Sequence, residues 1–106
     1  MSSSDEVTQK LDAIWERYLP TMVLRMAAIR MAIETLEAGH LDRDLTRIAS
    51  LEAHKLAGSL GTFGLASSSG MSSQIEHFLS QPDLVQTMAP ELRKLLDSIQ
   101  HDIETR

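Results

Sequence analysis

Residues 42–64 read DRDLTRIASLEAHKLAGSLGTFG. Asp42 and Asp44 stand where the positive end of a helix dipole favours carboxylates, and Gly64 stands where a helix stop is expected. At about 100° per residue, Leu45, Ile48, Leu56 and Phe63 fall on one side and are expected to face a core, with Glu52 close to that stripe. Arg43, Arg47, Ser50, His54, Gly58 and Gly61 fall on the other side. The segment therefore predicts a helix over 42–63 whose exposed face is polar at one end and bare at the other. Each interior glycine costs about 1 kcal/mol of helix stability relative to alanine. Two such glycines on the face of one imidazole indicate that space is kept for something to reach the ring.

The segments on either side are also helical. Upstream, Val7, Leu11, Ile14, Trp15 and Tyr18 recur at helical spacing and predict a short N-terminal helix over about 5–18, with polar Ser2, Ser3 and Ser4 before it. Pro20 either kinks this helix into the next or opens a new one at its first turn. Met22, Met26, Ile29, Ile33 and Leu36 predict a helix over 21–38, ended by Gly39. Downstream, Met71, Ile75, Phe78 and Leu79 predict a serine-rich helix over 66–80, and Pro82 marks a loop. The final segment, starting at 84 or 88 and running to 104, has the cleanest amphipathic pattern: Met88, Leu92, Leu95, Leu96, Ile99 and Ile103, with Pro90 and Glu91 in its first turn. The expectation is an all-α chain: one domain over 1–106, built as an antiparallel up-down four-helix bundle over about 21–105 with an additional N-terminal helix.

Composition agrees and narrows the function classes. The chain has 106 residues, the commonest domain size, and 42% of them are apolar. With one Trp, one Tyr and two Phe, the core must come from Leu, Ile, Met, Val and Ala. There is no cysteine, which removes disulfides, thiol nucleophiles and cysteine metal sites. A net charge of −5 argues against sequence-independent nucleic-acid binding. The start lacks the basic and apolar runs of a signal peptide, and Arg25, Arg30 and Glu34 break the longest apolar stretch, so a cytoplasmic protein with no membrane span is expected. His40, His77 and His101 have nothing arranged around them and read as ordinary surface residues.

The run His54-Lys55-Leu56-Ala57-Gly58-Ser59, continuing to Phe63-Gly64, resembles the signature of histidine-containing phosphotransfer (HPt) domains: a His, a Leu two on, a Gly four on, then a small residue, and a Gly near the helix end. The motif spans His54 to Gly64, and the family's helical bundles have about the length of the whole chain. The resemblance implies that His54 accepts a phosphoryl group from a receiver-domain aspartyl-phosphate and passes it to another receiver aspartate. Free imidazole, with a pKa of about 6.5, is a good nucleophile near neutrality. By the same resemblance the partners are receiver domains of response regulators or hybrid sensor kinases. The phosphorylatable aspartate and Mg²⁺ belong to the partner, and this monomeric carrier needs no cofactor, metal or catalytic centre of its own.

One position departs from the family pattern. Many members carry a lysine three residues after the histidine, where this chain has Ala57. Lys55, Arg47 and Ser50 are the expected auxiliary residues beside His54, with Gly58 giving a partner clearance. Two other readings compete. In one, an HPt-like module binds a receiver or another partner without phosphotransfer. In the other, a helical metal site draws on His54, His77, Glu52 and Glu76.

Overall fold

A computed structural model describes residues 3–106. The expectations about Met1 and Ser2 lie outside them. The described residues form four helices: α1 (Ser3–Glu37), α2 (Arg43–Thr62), α3 (Ala66–Leu79) and α4 (Ala89–Glu104). A single 3-10 turn, Gln86–Met88, leads into α4. No strand occurs among the described residues. The fold is an all-α four-helix bundle in which each helix packs on the next and α4 returns to α1.

Contacts between helices fix their directions. Trp15 of α1 meets Phe63 at the end of α2, edge to face at 5.1 Å. Ser72 of α3 bonds the carbonyl of Ala53 and Ser69 that of Ala57, so α2 and α3 run antiparallel. Arg93 near the start of α4 holds Glu37 at the end of α1, and Arg106 at the chain end reaches Asp12. Successive helices therefore alternate up and down. Both tight turns end on a glycine with positive φ, +87° at Gly39 and +80° at Gly64. The amide of the following residue reaches five residues back in each case, His40 to Thr35 and Leu65 to Leu60, which closes the helix end. Asp42 caps α2 by accepting the Leu45 amide at 3.0 Å.

The structure departs from the sequence expectation in two places. First, the separate helix over 5–18 and the one over 21–38 are a single 35-residue rod, α1, which runs through Pro20. Pro20 lies on the exposed side, where water can serve the Glu16 carbonyl that the missing N–H leaves free. At 1.5 Å per residue this rod is about 52 Å long, against about 30 Å for α2. Trp15 and Phe63, with the Arg106 guanidinium 4.4 Å above the indole, close the end of the bundle. Residues 3–14 extend beyond that level, and Val7, Leu11 and Ile14 are exposed rather than part of the core.

Second, the buried face of α2 is rotated from the expected one. Ala49, Ala53, Leu56, Ala57 and Leu60 are buried, whereas Ile48 is 48% exposed and Leu51 more so. The cause is the close approach of α3. Fully buried Ser72 and largely buried Ser69 bond backbone carbonyls of α2 directly, at 2.8 and 2.7 Å, an approach that the small side chains of Ala53 and Ala57 allow. The rest of the core follows expectation: Met22, Met26, Ile29, Ile33 and Leu36 from α1, and Leu92, Leu95, Leu96, Ile99 and Ile103 from α4, are all buried. No helix of the described residues is long and apolar enough to cross a membrane.

Candidate functional site

The rotation of α2 brings His54 to the flank of the exposed face, next to α3. Its side chain is 71% exposed, enough for the ring to meet another protein, yet it is not without a partner. Nδ1 lies 3.0 and 3.2 Å from the two carboxylate oxygens of Glu76 on α3. An ionised carboxylate can only accept, so the contact assigns the ring proton to Nδ1 and leaves the Nε2 lone pair facing outward. Ser50, one turn before His54, is half-buried and donates to the Glu76 carbonyl at 3.4 Å, a long bond that ties α2 to this turn of α3.

Sequence reasoning weighed Glu76 only as a metal ligand. Its pairing with His54 spans 22 residues and two helices, so no helical periodicity could have placed it. No group of three or more His, Asp or Glu side chains among the described residues is placed to hold a metal ion. His77 instead meets Gln81, and Glu52 lies on the other flank of α2.

That other flank carries a second polar cluster. Lys55 Nζ is 3.3 Å from Glu52, and Glu52 also pairs with Arg25 of α1 at 3.6 Å. Arg25 donates to both the Tyr18 hydroxyl and Ser59 Oγ at 2.9 Å. The Tyr18 hydroxyl is drawn below its ordinary pKa chiefly by the hydrogen bond with Ser59, with Arg25 contributing a further bond and its charge while burial opposes. Ser59 is thus a hydrogen-bonding link between α1 and α2 as well as a small packing residue.

The two glycines of α2 differ in their surroundings. A Cβ added at Gly58 would meet nothing within 4 Å, so the residue leaves bare surface one turn beyond His54. A Cβ at Gly61 would touch Ser69 Oγ at 3.4 Å, so this glycine serves the approach of α3. Ala57 is only 8% exposed and packs towards α3. Arg47 is exposed and pairs with Asp44 at 3.5 Å. It lies about 10 Å along the axis from His54, and Arg43 about 16 Å. Both arginines line a cleft of about 450 Å³ with Leu51 and the α3–α4 connection, rather than meeting the imidazole.

A family model described as the Hpt domain matches residues 13–102. Protein RcaC of Microchaete diplosiphon is 30% identical over 95 residues, which make up 89% of this chain and 15% of that protein. The chain thus spans about 15% of the length of this curated relative. No solved structure matches the chain significantly.

Proposed function

The chain belongs to the Hpt domain family, and from that premise we propose that it is a phosphorelay carrier whose phosphoacceptor is Nε2 of His54. A phosphotransfer role in two-component signalling comes with the family. The His54–Glu76 contact carries the assignment of this ring and this atom: it holds the proton on Nδ1 and frees the Nε2 lone pair at an exposed position.

In the forward step the Nε2 lone pair attacks the phosphorus of a receiver aspartyl-phosphate. The N–P bond forms as the P–O bond to the aspartyl group breaks, and the carboxylate of the receiver takes the electron pair. The ring becomes a phosphoryl-imidazolium whose Nδ1–H still faces Glu76, so the carboxylate opposes the new positive charge. Discharge to a second receiver reverses these events. The receiver supplies Mg²⁺ and the acidic pocket. This chain supplies an oriented ring, clearance at Gly58 and, on phosphorylation, Lys55, whose flexible stem can leave Glu52 for the phosphoryl group. Arg47 and Arg43, beyond reach of the ring in the geometry above, guide docking on the acidic partner rather than touching phosphate.

Phosphoramidate tests the reading without a known partner. The wild type is expected to gain one acid-labile phosphoryl group by intact mass, His54→Gln none, and a receiver with Mg²⁺ is expected to discharge the label. An unlabelled His54 would refute the assignment. Ala57 supports the competing reading, an interaction module without phosphotransfer, because the family's lysine is absent there. That reading predicts receiver binding with no transfer.

A further inference from the structure

Two cations share the carboxylate of Glu52 on the α1 side of α2. One of its oxygens lies 3.6 Å from Nε of Arg25, the other 3.3 Å from Nζ of Lys55. The two cations are held very differently. The Arg25 side chain is 16% exposed, and its Nη1 donates to the Tyr18 hydroxyl and to Ser59 Oγ, both at 2.9 Å. Its guanidinium also lies 5.4 Å from the centre of the Tyr18 ring. These contacts anchor Arg25 between α1 and α2. The Lys55 side chain is 55% exposed, and Glu52 is its one hydrogen-bonding partner among the described residues. A single contact made by a flexible stem in water is weak. Glu52 itself is only 24% exposed, so leaving its carboxylate without a cation is costly.

We propose that Arg25 is a positioning residue for phosphotransfer: by staying on Glu52, it lets Lys55 leave that carboxylate for the phosphoryl group on His54. The inference rests on His54 as the phosphoacceptor and deepens the role given to Lys55 above. Phosphorylation places new negative charge on the residue next to Lys55. Lys55 then exchanges one anion for another, and Glu52 keeps a cation throughout. Without Arg25 the same movement would strip Glu52 of its last cation at a position largely closed to water, so the carboxylate would hold Lys55 back. Ser59 ties the two parts together. Its hydroxyl accepts from Arg25 and donates to the Lys55 carbonyl at 3.1 Å, which joins the anchor of Arg25 to the backbone that carries Lys55. This chain has Ala57 where many family members have a lysine. A cation recruited from position 55 instead starts on a carboxylate, and Arg25 supplies the release.

The experiment labels the full chain with phosphoramidate and follows the rate by intact mass, with circular dichroism to establish that each variant is folded. Arg25→Met, Arg25→Lys and the double variant Arg25→Met/Glu52→Gln are compared, each with Lys55 present and with Lys55→Ala. We expect Lys55→Ala and Arg25→Met each to slow labelling about fivefold, the upper scale of one exposed ion pair. Arg25→Lys keeps a cation on Glu52, and the double variant removes the carboxylate that would retain Lys55, so both should stay within about twofold of wild type. With Lys55→Ala in place, Arg25→Met should change the rate by less than about twofold. The inference is overturned if Arg25→Met labels like wild type or if adding Glu52→Gln fails to restore the rate. It is also overturned if Arg25→Met slows labelling equally without Lys55, which would be a plain effect of net charge. Should Arg25→Met not fold, Glu52→Gln alone decides: labelling that quickens only where Lys55 is present supports the inference, and an unchanged rate overturns it. A wild type that takes no label defeats the His54 assignment itself, whereas a labelled wild type indifferent to Arg25 defeats this inference alone.

Discussion

Replacing Gly58 with alanine should make this protein more stable and less active. A Cβ at position 58 meets nothing within 4 Å, so the substitution introduces no clash. The position is interior to α2, where alanine is favoured over glycine by about 1 kcal/mol, partly because the unfolded chain loses freedom. For a chain of 106 residues, 1 kcal/mol corresponds to a rise in Tm of about 4–8 °C. The opposing effect appears only when a receiver arrives. Alanine adds one methyl to the approach surface, and leucine adds four carbons at an exposed position whose Cβ meets nothing within 4 Å. Receiver transfer should therefore fall progressively from glycine to alanine to leucine, while phosphoramidate labelling, which needs no docking, stays near wild type. Thermal unfolding by circular dichroism and quenched-flow transfer at several receiver concentrations separate the two effects. A Tm that falls in Gly58→Ala would show that the glycine serves packing. A raised Tm with unchanged transfer in Gly58→Leu would remove the clearance argument.

Other consequences can be checked in the same way. Glu76→Leu should slow phosphoramidate labelling about fivefold, the worth of roughly 1 kcal/mol for a charge-assisted bond at an exposed site, and Glu76→Gln, which can still accept from Nδ1–H, should recover most of it; equal rates in all three proteins would separate the carboxylate from the ring's reactivity. Lys55→Ala should slow transfer to a receiver while leaving it measurable in stopped flow, and an unchanged rate would remove Lys55 from the site. The bond from Arg93 holds the Glu37 carboxyl below its ordinary range. Because that pKa is lower in the folded than in the unfolded chain, the pair's contribution is present near neutrality and lost as pH falls through the acidic range. At this exposure the contribution is small, so Arg93→Ala should cost less than about 1 kcal/mol at pH 7 in urea unfolding, and the difference from wild type should vanish in acid. Ala53→Leu should cost about 1–3 kcal/mol by overpacking the α2–α3 seam, whereas Ile48→Gln should stay within about 0.5 kcal/mol; the reverse order would contradict the rotated face of α2.

The helices, their glycine ends and the location of the histidine were legible because they rest on local rules. Gly39, Gly64, Asp42 and Pro90 act on the residues beside them, and the stripes of α1 beyond Met22 and of α4 consist of large apolar side chains. Two features were not legible, for related reasons. Periodicity weights leucine and isoleucine as inward, so it turned α2 towards Ile48 and overlooked Ala49, Ala53 and Ala57, whose burial is decided by serines on another helix. Pro20 was ambiguous because its effect depends on whether the freed carbonyl faces water. Glu76 follows from the same seam: its place beside His54 is a consequence of how α3 lies on α2.

That seam acts as a ruler for the chemistry above it. The hydroxyls of Ser69 and Ser72 set the spacing of α2 and α3, and this spacing fixes the reach from Nδ1 to Glu76 at 3.0 Å. A larger side chain at Ala53, where Ser72 bonds the Ala53 carbonyl at 2.8 Å, is expected to spread the helices and lengthen the contact between Nδ1 and the carboxylate. The imidazole would then be free to place its proton on either nitrogen, with every solvent-facing residue unchanged. An interior substitution invisible to any partner could in this way detune the ring, and the ¹⁵N shifts of His54 would register it before any loss of fold.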